Sequence, residues 1–270
     1  MMEKLIITLA PTGNVPTYEL NPHSALKIDQ IVEDVKKCKA AGASVVHLHV
    51  RDESLNPTSS REEYKKLLEK LKDLDMIKQL STGARGGENS IEWRGQMLDL
   101  EADMASLSTG SSNFPTSVNA NEPKLIKGLA KKMLDNGLKP EIEVFDVSMI
   151  NNAVYLMKKG YIKGPLHFNM VMNVPGSIKG TPKNLMFMVD SIPKGSTWSV
   201  SGIGKAQIKM ITLAILLGGH VRTGLEDVLM YDDQTHATNE MLVRRVVRIA
   251  KELGREIATV DEARKILSLE

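Results

Sequence analysis

Two histidines separated by one residue are the feature of this sequence that most directly suggests chemistry. They occur in the run Val46-His47-Leu48-His49-Val50-Arg51-Asp52, at the end of an apolar stretch over residues 44–50. Alternate side chains of a β-strand point to the same side, so both imidazoles are expected on one face. A catalytic zinc ion typically has three protein ligands and keeps a fourth position for water or substrate. His47 and His49 therefore predict two zinc ligands; the alternative is a pair of ordinary hydrogen-bonded groups in a strand.

The best candidate for a third ligand lies in the run Gly219-His220-Val221-Arg222-Thr223-Gly224-Leu225-Glu226-Asp227. Glu226 would supply a carboxylate oxygen and complete a His-His-Glu set. Asp227 follows it directly, points in another direction and is a candidate general base. Arg222 is expected to lower the pKa of Asp227 and keep it ionised. The alternative is that Glu226 and Asp227 only cap the helix that follows.

The elements that must position these residues alternate along the chain. Short β-rich apolar runs predict eight strands, at residues 5–10, 44–50, 76–80, 103–107, 141–145, 166–171, 197–200 and 220–223. Helical patterns are found at residues 28–41, 61–74, 123–136, 149–159, 206–217, 239–253 and 261–267. Eight β-then-α units are typical of a (β/α)8 TIM barrel, which we predict as a single domain over residues 1–270. A doubly wound open sheet is the alternative, but it needs a reversal of strand order.

A barrel of this kind carries its active site at the C-terminal ends of its strands. Polar residues do gather where the predicted strands end: Thr12, Gly13, Asn14, Ser81, Thr82, Ser106, Ser108, Glu141, Glu143, Asn169, Ser199 and Ser201. The serines and threonines also fit caps and turns. Glu141 and Glu143 share one strand face, and because an unpaired buried charge is costly, one of them is expected to orient a histidine or face the substrate. Strands eight, one and two are neighbours in a closed barrel, so Glu226 can reach the histidines.

Two predicted loops are rich in glycine and carry lysines. The segment Ser201-Gly202-Ile203-Gly204-Lys205 is glycine-rich and cationic at a predicted helix start. Loops after strands seven and eight of barrels often bind phosphate, although the spacing here is not that of a P-loop. Residues 174–184 are rich in glycine and lysine and are expected to form either a mobile lip over the barrel mouth or a solvated loop.

The composition excludes several classes of partner. Lys+Arg 35 against Asp+Glu 33 produces no basic field, and 4% aromatic residues leave few stacking platforms, so nucleic acid is not expected. The one cysteine, Cys38, cannot form an internal disulfide, which suits a reducing compartment. Neither a signal-peptide pattern nor an apolar run near the ~18 residues of a membrane span is present. We expect a cytoplasmic protein that does not bind membranes.

The motifs together resemble the β-keto acid cleavage enzyme family. The matching runs follow the family order from the first strand to the last helix: 47–52, 81–83, 103–107, 140–143, 198–204 and 218–227. The combination of HLHxRD with GGHxRxGxED is specific, and the resemblance covers nearly the whole chain.

The resemblance implies a zinc-dependent barrel, usually a homotetramer, that converts a β-keto acid and acetyl-CoA into acetoacetate and a new acyl-CoA. It implies His47, His49 and Glu226 as the ligands of Zn2+ and Asp227 as the base. Arg222 and Ser81 would assist the base, and Ser106 would contact the substrate. The C2 proton is removed, the enolate attacks the acetyl thioester, and a retro-Claisen step breaks the C–C bond.

This sequence departs from the family pattern where the substrate tail would lie. Members that act on 3-keto-5-aminohexanoate have a glutamate after the first strand that would hold the amine, whereas here Asn14 and Val15 stand there. Ser108 replaces an asparagine after strand four, and Ala84-Arg85 stands where glycines are common. We expect Asn14, Ser81, Ser106, Ser108, Glu143 and Arg85 to contact substrate, with Arg85 either meeting a second carboxylate or lying on the surface.

Two other functions remain open on the sequence. The same His-His-Glu site would serve a metal-dependent barrel lyase or hydrolase that acts on a small carboxylic acid without CoA. A non-catalytic barrel that binds or assembles is the other, and the intact set of His47, His49, Glu226, Asp227 and Arg222 argues against it.

Overall fold

The computed structural model describes residues 2–83, 87–115 and 117–269. Within them, eight parallel strands form a closed barrel in which each strand pairs with its neighbours along the chain and the last pairs with the first. The barrel strands are β1 Ile7–Leu9, β2 Val45–Leu48, β3 Ile77–Leu80, β4 Met104–Ser108, β5 Lys139–Val144, β6 His167–Met172, β7 Thr197–Gly202 and β8 His220–Thr223. The predicted TIM barrel is confirmed, and the open-sheet alternative is wrong because β1 and β8 pair in parallel.

Helices connect the strands around the outside. They are α1 Ile28–Ala41, α2 Arg61–Leu71, α3 Ile91–Arg94, α4 Pro123–Asp135, α5 Val147–Lys158, α6 Pro182–Ser191, α7 Gln207–Leu217, α8 Asn239–Glu252 and α9 Val260–Leu267, with a 3-10 turn at Gly204–Ala206. Short antiparallel ribbons join Val50–Arg51 to Pro57–Thr58 and Ser112–Asn113 to Val118–Asn119.

Within the described ranges, the helices α3 and α6 were not predicted from the sequence. The last residues of the predicted lip, 182–184, form the first turn of α6. The start of α6 has a local cause, because the Thr181 side chain accepts a hydrogen bond from the Asn184 amide and Pro182 occupies the first turn. A Thr-Pro pair of this kind is a helix-start signal that can be recognised in a sequence.

The bottom of the barrel is apolar and its top is polar. Ile6, Val45, Ile77 and Met104 form one buried cluster with residues of α9, so this last helix covers the N-terminal end of the barrel. The strand ends at the other side carry buried polar side chains, which require partners or ligands. None of the helices within the described residues is long and apolar enough to cross a membrane.

Candidate metal centre and active site

Three potential metal ligands meet at the C-terminal mouth of the barrel. His47 lies on β2, His49 follows that strand directly, and Glu226 lies in the loop after β8. The His47 Nε2 and His49 Nε2 atoms are 3.2 Å apart. Glu226 Oε1 is 3.4 Å from His49 Nε2, and Glu226 Oε2 is 3.7 Å from His47 Nε2. The structure therefore brings together all three residues that the sequence analysis proposed as ligands.

The orientation of His47 is set by Gln79, a residue that the sequence analysis missed. Gln79 lies on β3 directly opposite His47 in the parallel register, and its Oε1 is 2.5 Å from His47 Nδ1. An amide oxygen only accepts hydrogen bonds, so Nδ1 carries the proton and Nε2 keeps its lone pair. Burial, with Arg222 nearby, lowers the pKa of His47 to about 4 and keeps the ring neutral. The available signal was the alternation of β3, which turns residue 79 toward the same interior as residue 47.

Glu226 has one carboxylate oxygen paired with Arg222 and another that its neighbours in the described part of the chain leave without a hydrogen bond. Burial opposes its ionisation, but Arg222 and the two histidines outweigh that effect and lower the pKa of Glu226. Its Oε2 is buried and has no hydrogen-bond partner among the described residues. A carboxylate oxygen facing a lone-pair nitrogen is unfavourable unless a cation or a proton lies between them. These donors are of the type and number that zinc takes in catalytic sites.

Arg222 is the cation that the structure places among the carboxylates of the site. Its guanidinium makes a bidentate contact with Asp227, through Nε to Oδ2 at 3.1 Å and NH2 to Oδ1 at 2.9 Å. NH2 also lies 2.7 Å from Glu226 Oε1, and NH1 donates to Glu143 Oε1 at 3.1 Å. One guanidinium against three carboxylates leaves an excess of two negative charges when all are ionised. A bound divalent cation would offset that excess.

The excess negative charge and the burial change the expectation for Asp227. Burial raises the pKa of Asp227 to about 6, and although Arg222 acts in the opposite direction, it does not overcome the loss of hydration. Arg222 therefore lowers the pKa of Asp227, as expected from the sequence, but burial outweighs this effect and the resulting pKa lies above the ordinary value. Burial likewise raises the pKa of Glu143 to about 7, again against the effect of Arg222.

The loop after β1 presses against Glu226. A Cβ added to Gly13 would lie 2.4 Å from Glu226 Cγ, so no larger residue fits there while Glu226 keeps its position. The buried guanidinium of Arg51 holds this loop by donating to the carbonyl oxygens of Gly13 at 2.7 Å and Pro16 at 2.8 Å. Arg51, the arginine of the His-Leu-His-Val-Arg motif, thus fixes the loop that packs against Glu226.

A cavity of about 180 Å³ opens above these groups. Among the residues predicted to contact substrate, Asn14, Ser81, Ser108 and Glu143 line it. Ser108 Oγ donates to Glu143 Oε2 at 3.3 Å, and Ser81 Oγ accepts from the Gly83 amide at 3.2 Å.

Two other predicted residues stand apart from the cavity. Ser106 is buried and does not line the cavity, and its Oγ accepts from the Thr82 amide at 3.2 Å, which joins β4 to the segment after β3. Glu141 lies deeper in the barrel with its Oε2 3.4 Å from His167 Nε2, which agrees with the expectation that one glutamate of the pair orients a histidine. Arg85 lies outside the described residues.

Replacing Gln79 by leucine is expected to weaken metal binding by about 10- to 100-fold, because His47 would lose the partner that fixes its tautomer. The dissociation constant of zinc, measured by competition with a chromogenic chelator, checks this. Gln79→Glu keeps an acceptor at the same place and should restore most of the affinity. Unchanged zinc affinity in Gln79→Leu, with unfolding temperatures matching the wild type, would show that Gln79 does not orient His47.

Comparison with known proteins places these features in context. The sequence matches the family model described as beta-keto acid cleavage enzyme over residues 4–269. It is 45% identical over 273 residues to the 3-keto-5-aminohexanoate cleavage enzyme of Fusobacterium nucleatum subsp. nucleatum, covering 100% of this chain and 99% of that protein. It is 41% identical to the 3-oxoadipate:acetyl-CoA acetyltransferase of Cupriavidus necator, covering 100% and 96%.

Solved structures support the same architecture. The ternary complex of ObcA with a C4-CoA adduct and oxalate superposes with a TM-score of 0.79 at 22% identity, covering 92% of this chain and 68% of that one. At this identity the likeness shows a shared barrel fold.

Proposed function

This chain belongs to the β-keto acid cleavage enzyme family, and from that premise we propose a zinc-dependent acyl exchange. A β-keto acid and acetyl-CoA would give acetoacetate and a new acyl-CoA. The observation that carries the proposal is the convergence of His47, His49 and Glu226 beside Asp227, with Arg222 contacting both carboxylates. The names of the relatives, which include an acetyl-CoA acetyltransferase of a keto acid, support acetyl-CoA as co-substrate.

His47, His49 and Glu226 would hold the metal ion. A divalent ion there supplies Lewis-acid polarisation of a substrate carbonyl oxygen. The excess negative charge of the buried cluster, the orphaned Glu226 Oε2 and the nitrogen-oxygen donor set all favour this assignment, and the donor set favours zinc.

Asp227 is the residue that we assign to proton removal. Its carboxylate lines the cavity, and its two oxygens are held by Arg222 in a fixed direction. With a pKa near 6 it is largely ionised at neutral pH yet basic enough to take a proton from C2 of a β-keto acid. Arg222 positions Asp227, and Ser81 lies across the cavity as a polar contact for the substrate.

The exchange balances without any redox cofactor. The bond between C2 and C3 of the keto acid breaks, and a bond forms between C2 and the acetyl carbonyl carbon. The CoA sulfur leaves the acetyl group and ends on the original C3 carbonyl. The proton removed by Asp227 at C2 is returned at the same carbon in acetoacetate.

For the substrate tail we propose a short, uncharged group. The cavity holds about 180 Å³, and its side away from the ligands is formed by Phe114, Phe145, Val171 and Val174. Asn14, a neutral amide, lines the cavity at the position where the family resemblance implies a glutamate in members that hold an amine.

A panel of β-keto acids with short neutral, amine-bearing and carboxylate-bearing tails tests both proposals. Acetoacetate and acyl-CoA formation with acetyl-CoA present is expected, fastest with the neutral tails, and Asn14→Glu should improve the amine-bearing substrates. If a dicarboxylic keto acid turns over faster than the neutral substrates, and Arg85→Ala slows that turnover, the substrate tail carries a second carboxylate instead of a neutral group. Cleavage that proceeds without acetyl-CoA would instead support a metal-dependent lyase or hydrolase.

We further propose a cytoplasmic homotetramer. Cys38 is a free, buried thiol, which suits a reducing compartment. Phe187 on α6 is 54% exposed and Leu216 on α7 is 50% exposed, and exposed apolar side chains on adjacent helices are typical of subunit interfaces. The tetramer itself rests on the family resemblance, and light scattering of the purified protein tests it.

A further inference from the structure

A second cavity, here named the side groove, opens beside the metal-ligand candidates. It has a volume of about 850 Å³ and lies between the loop after β1, the start of α7 and the segment that follows β8. Val15, Ile203, Glu226 and Asp227 line both the side groove and the active-site cavity. The two carboxylates therefore stand where a large groove meets a small cavity.

We propose that the side groove binds the CoA portion of acetyl-CoA, with the thioester at the Glu226–Asp227 end and the phosphates near Lys209. This inference rests on the proposed acyl exchange. The active-site cavity, at about 180 Å³, has room for a small keto acid but not for a coenzyme as well. The side groove falls within the range of about 300–1,000 Å³ that ligand pockets usually have.

The inner part of the groove suits a pantetheine arm. Val15, Ile208 and Met230 line it and are 50%, 47% and 37% exposed, so the groove presents apolar surface to solvent. Gln207 also lines the groove, where its Nε2 donates to Thr223 Oγ1 at 2.9 Å. Its buried Oε1 has no partner among the described residues, and such an acceptor is costly to leave unsatisfied. The arm combines apolar carbon with amide N–H donors and so matches both features.

The outer part of the groove suits phosphate. Helix α7 continues directly from the 3-10 turn Gly204–Ala206, and the Gln207 amide donates to the Gly204 carbonyl oxygen. Lys209 lies in its first turn, is exposed, and forms no ion pair within the part of the chain that the structure describes. Lys205 lies one turn earlier, and its nearest carboxylate, Asp233 at 3.4 Å, is almost fully exposed, so this pair is weak. Two lysines one turn apart on the wall of the groove attract an anion.

Direct binding of CoA, measured by calorimetry without any keto acid, tests the proposal. Lys209→Glu and Ile208→Glu are each expected to raise the dissociation constant of CoA by about tenfold or more, the first by repelling phosphate and the second by blocking the arm. Lys183→Glu in the first turn of α6 makes the same charge change outside the groove. Leu253→Glu after α8 makes the same polarity change at an exposed aliphatic residue outside the groove. Both controls should bind CoA as the wild type does.

Acetylpantetheine, which lacks the nucleotide and its phosphates, separates the two ends of the groove. Lys209→Glu should raise the KM for acetyl-CoA and leave the KM for acetylpantetheine unchanged, whereas Ile208→Glu should raise both. Wild-type affinity for CoA in both groove variants would overturn the assignment, as would equal losses in the two controls. If the wild type binds CoA and Lys209→Glu weakens that binding, but the wild type forms no acetoacetate, the proposed exchange is contradicted. The assignment of the side groove to CoA would still hold.

Discussion

Replacing Asp227 by asparagine is expected to lower turnover by about 10²–10⁴-fold, the usual contribution of a positioned general base. The substitution keeps the size of the side chain and removes its ability to accept a proton. Arg222 retains Glu226 and Glu143 as partners, so the fold and the metal content should remain intact. The discriminating measurement is exchange of the substrate C2 proton with deuterated water, followed by NMR without acetyl-CoA.

Glu143→Gln is the matched control for this experiment. Glu143 lines the same cavity, contacts the same Arg222 and is likewise buried with a raised pKa, but it lies on β5 across the barrel. Loss of exchange in Asp227→Asn, with exchange kept in Glu143→Gln, would support Asp227 as the base. The reverse pattern would assign proton removal to Glu143.

Removing a ligand of the metal centre should have the second large effect. We expect His47→Ala and Glu226→Gln to weaken zinc binding by more than about 100-fold, since even residues behind the ligands contribute 10- to 100-fold. Turnover should fall in parallel and should not be restored at ordinary zinc concentrations. Metal content by mass spectrometry after dialysis, together with acyl exchange, measures both effects.

The same chain supplies suitable histidine controls. His23 and His236 are exposed and lie away from the three ligand candidates, so alanine at either position should leave zinc content at the wild-type level. Glu226→Gln also tests electrostatics, because it keeps an oxygen ligand while removing one negative charge from the cluster around Arg222. Full zinc occupancy in both His47→Ala and Glu226→Gln would show that the metal binds elsewhere.

Much of the fold could be predicted from local pattern. The eight strand positions predicted from the sequence correspond to the eight barrel strands, and the helix Ile28–Ala41 has the predicted bounds. The period of the apolar residues shows which face of a strand or helix is buried, and that period can be seen in residues that are close together in the sequence. Element ends were less accurate: the strand predicted over residues 44–50 divides after Leu48, where the chain leaves the barrel for a ribbon with Pro57–Thr58.

The sequence by itself determined the ligand candidates, because two facts available without coordinates were sufficient. Alternation along a strand puts His47 and His49 on one side, and barrel closure brings the end of the eighth strand near the second. The structure accordingly places Glu226 within 3.4 Å of His49 and 3.7 Å of His47.

The tertiary structure alone decided what surrounds those candidates. Gln79 contacts His47 and Arg51 contacts Gly13 although each pair is far apart in the sequence. Such long-range contacts cannot be predicted from a local sequence pattern. The burial of Ser106 outside the cavity lining depends on how β4 meets the segment after β3. The sequence indicates that Arg222 lowers the pKa of Asp227, but the loss of hydration that outweighs this effect exists only once the barrel has closed.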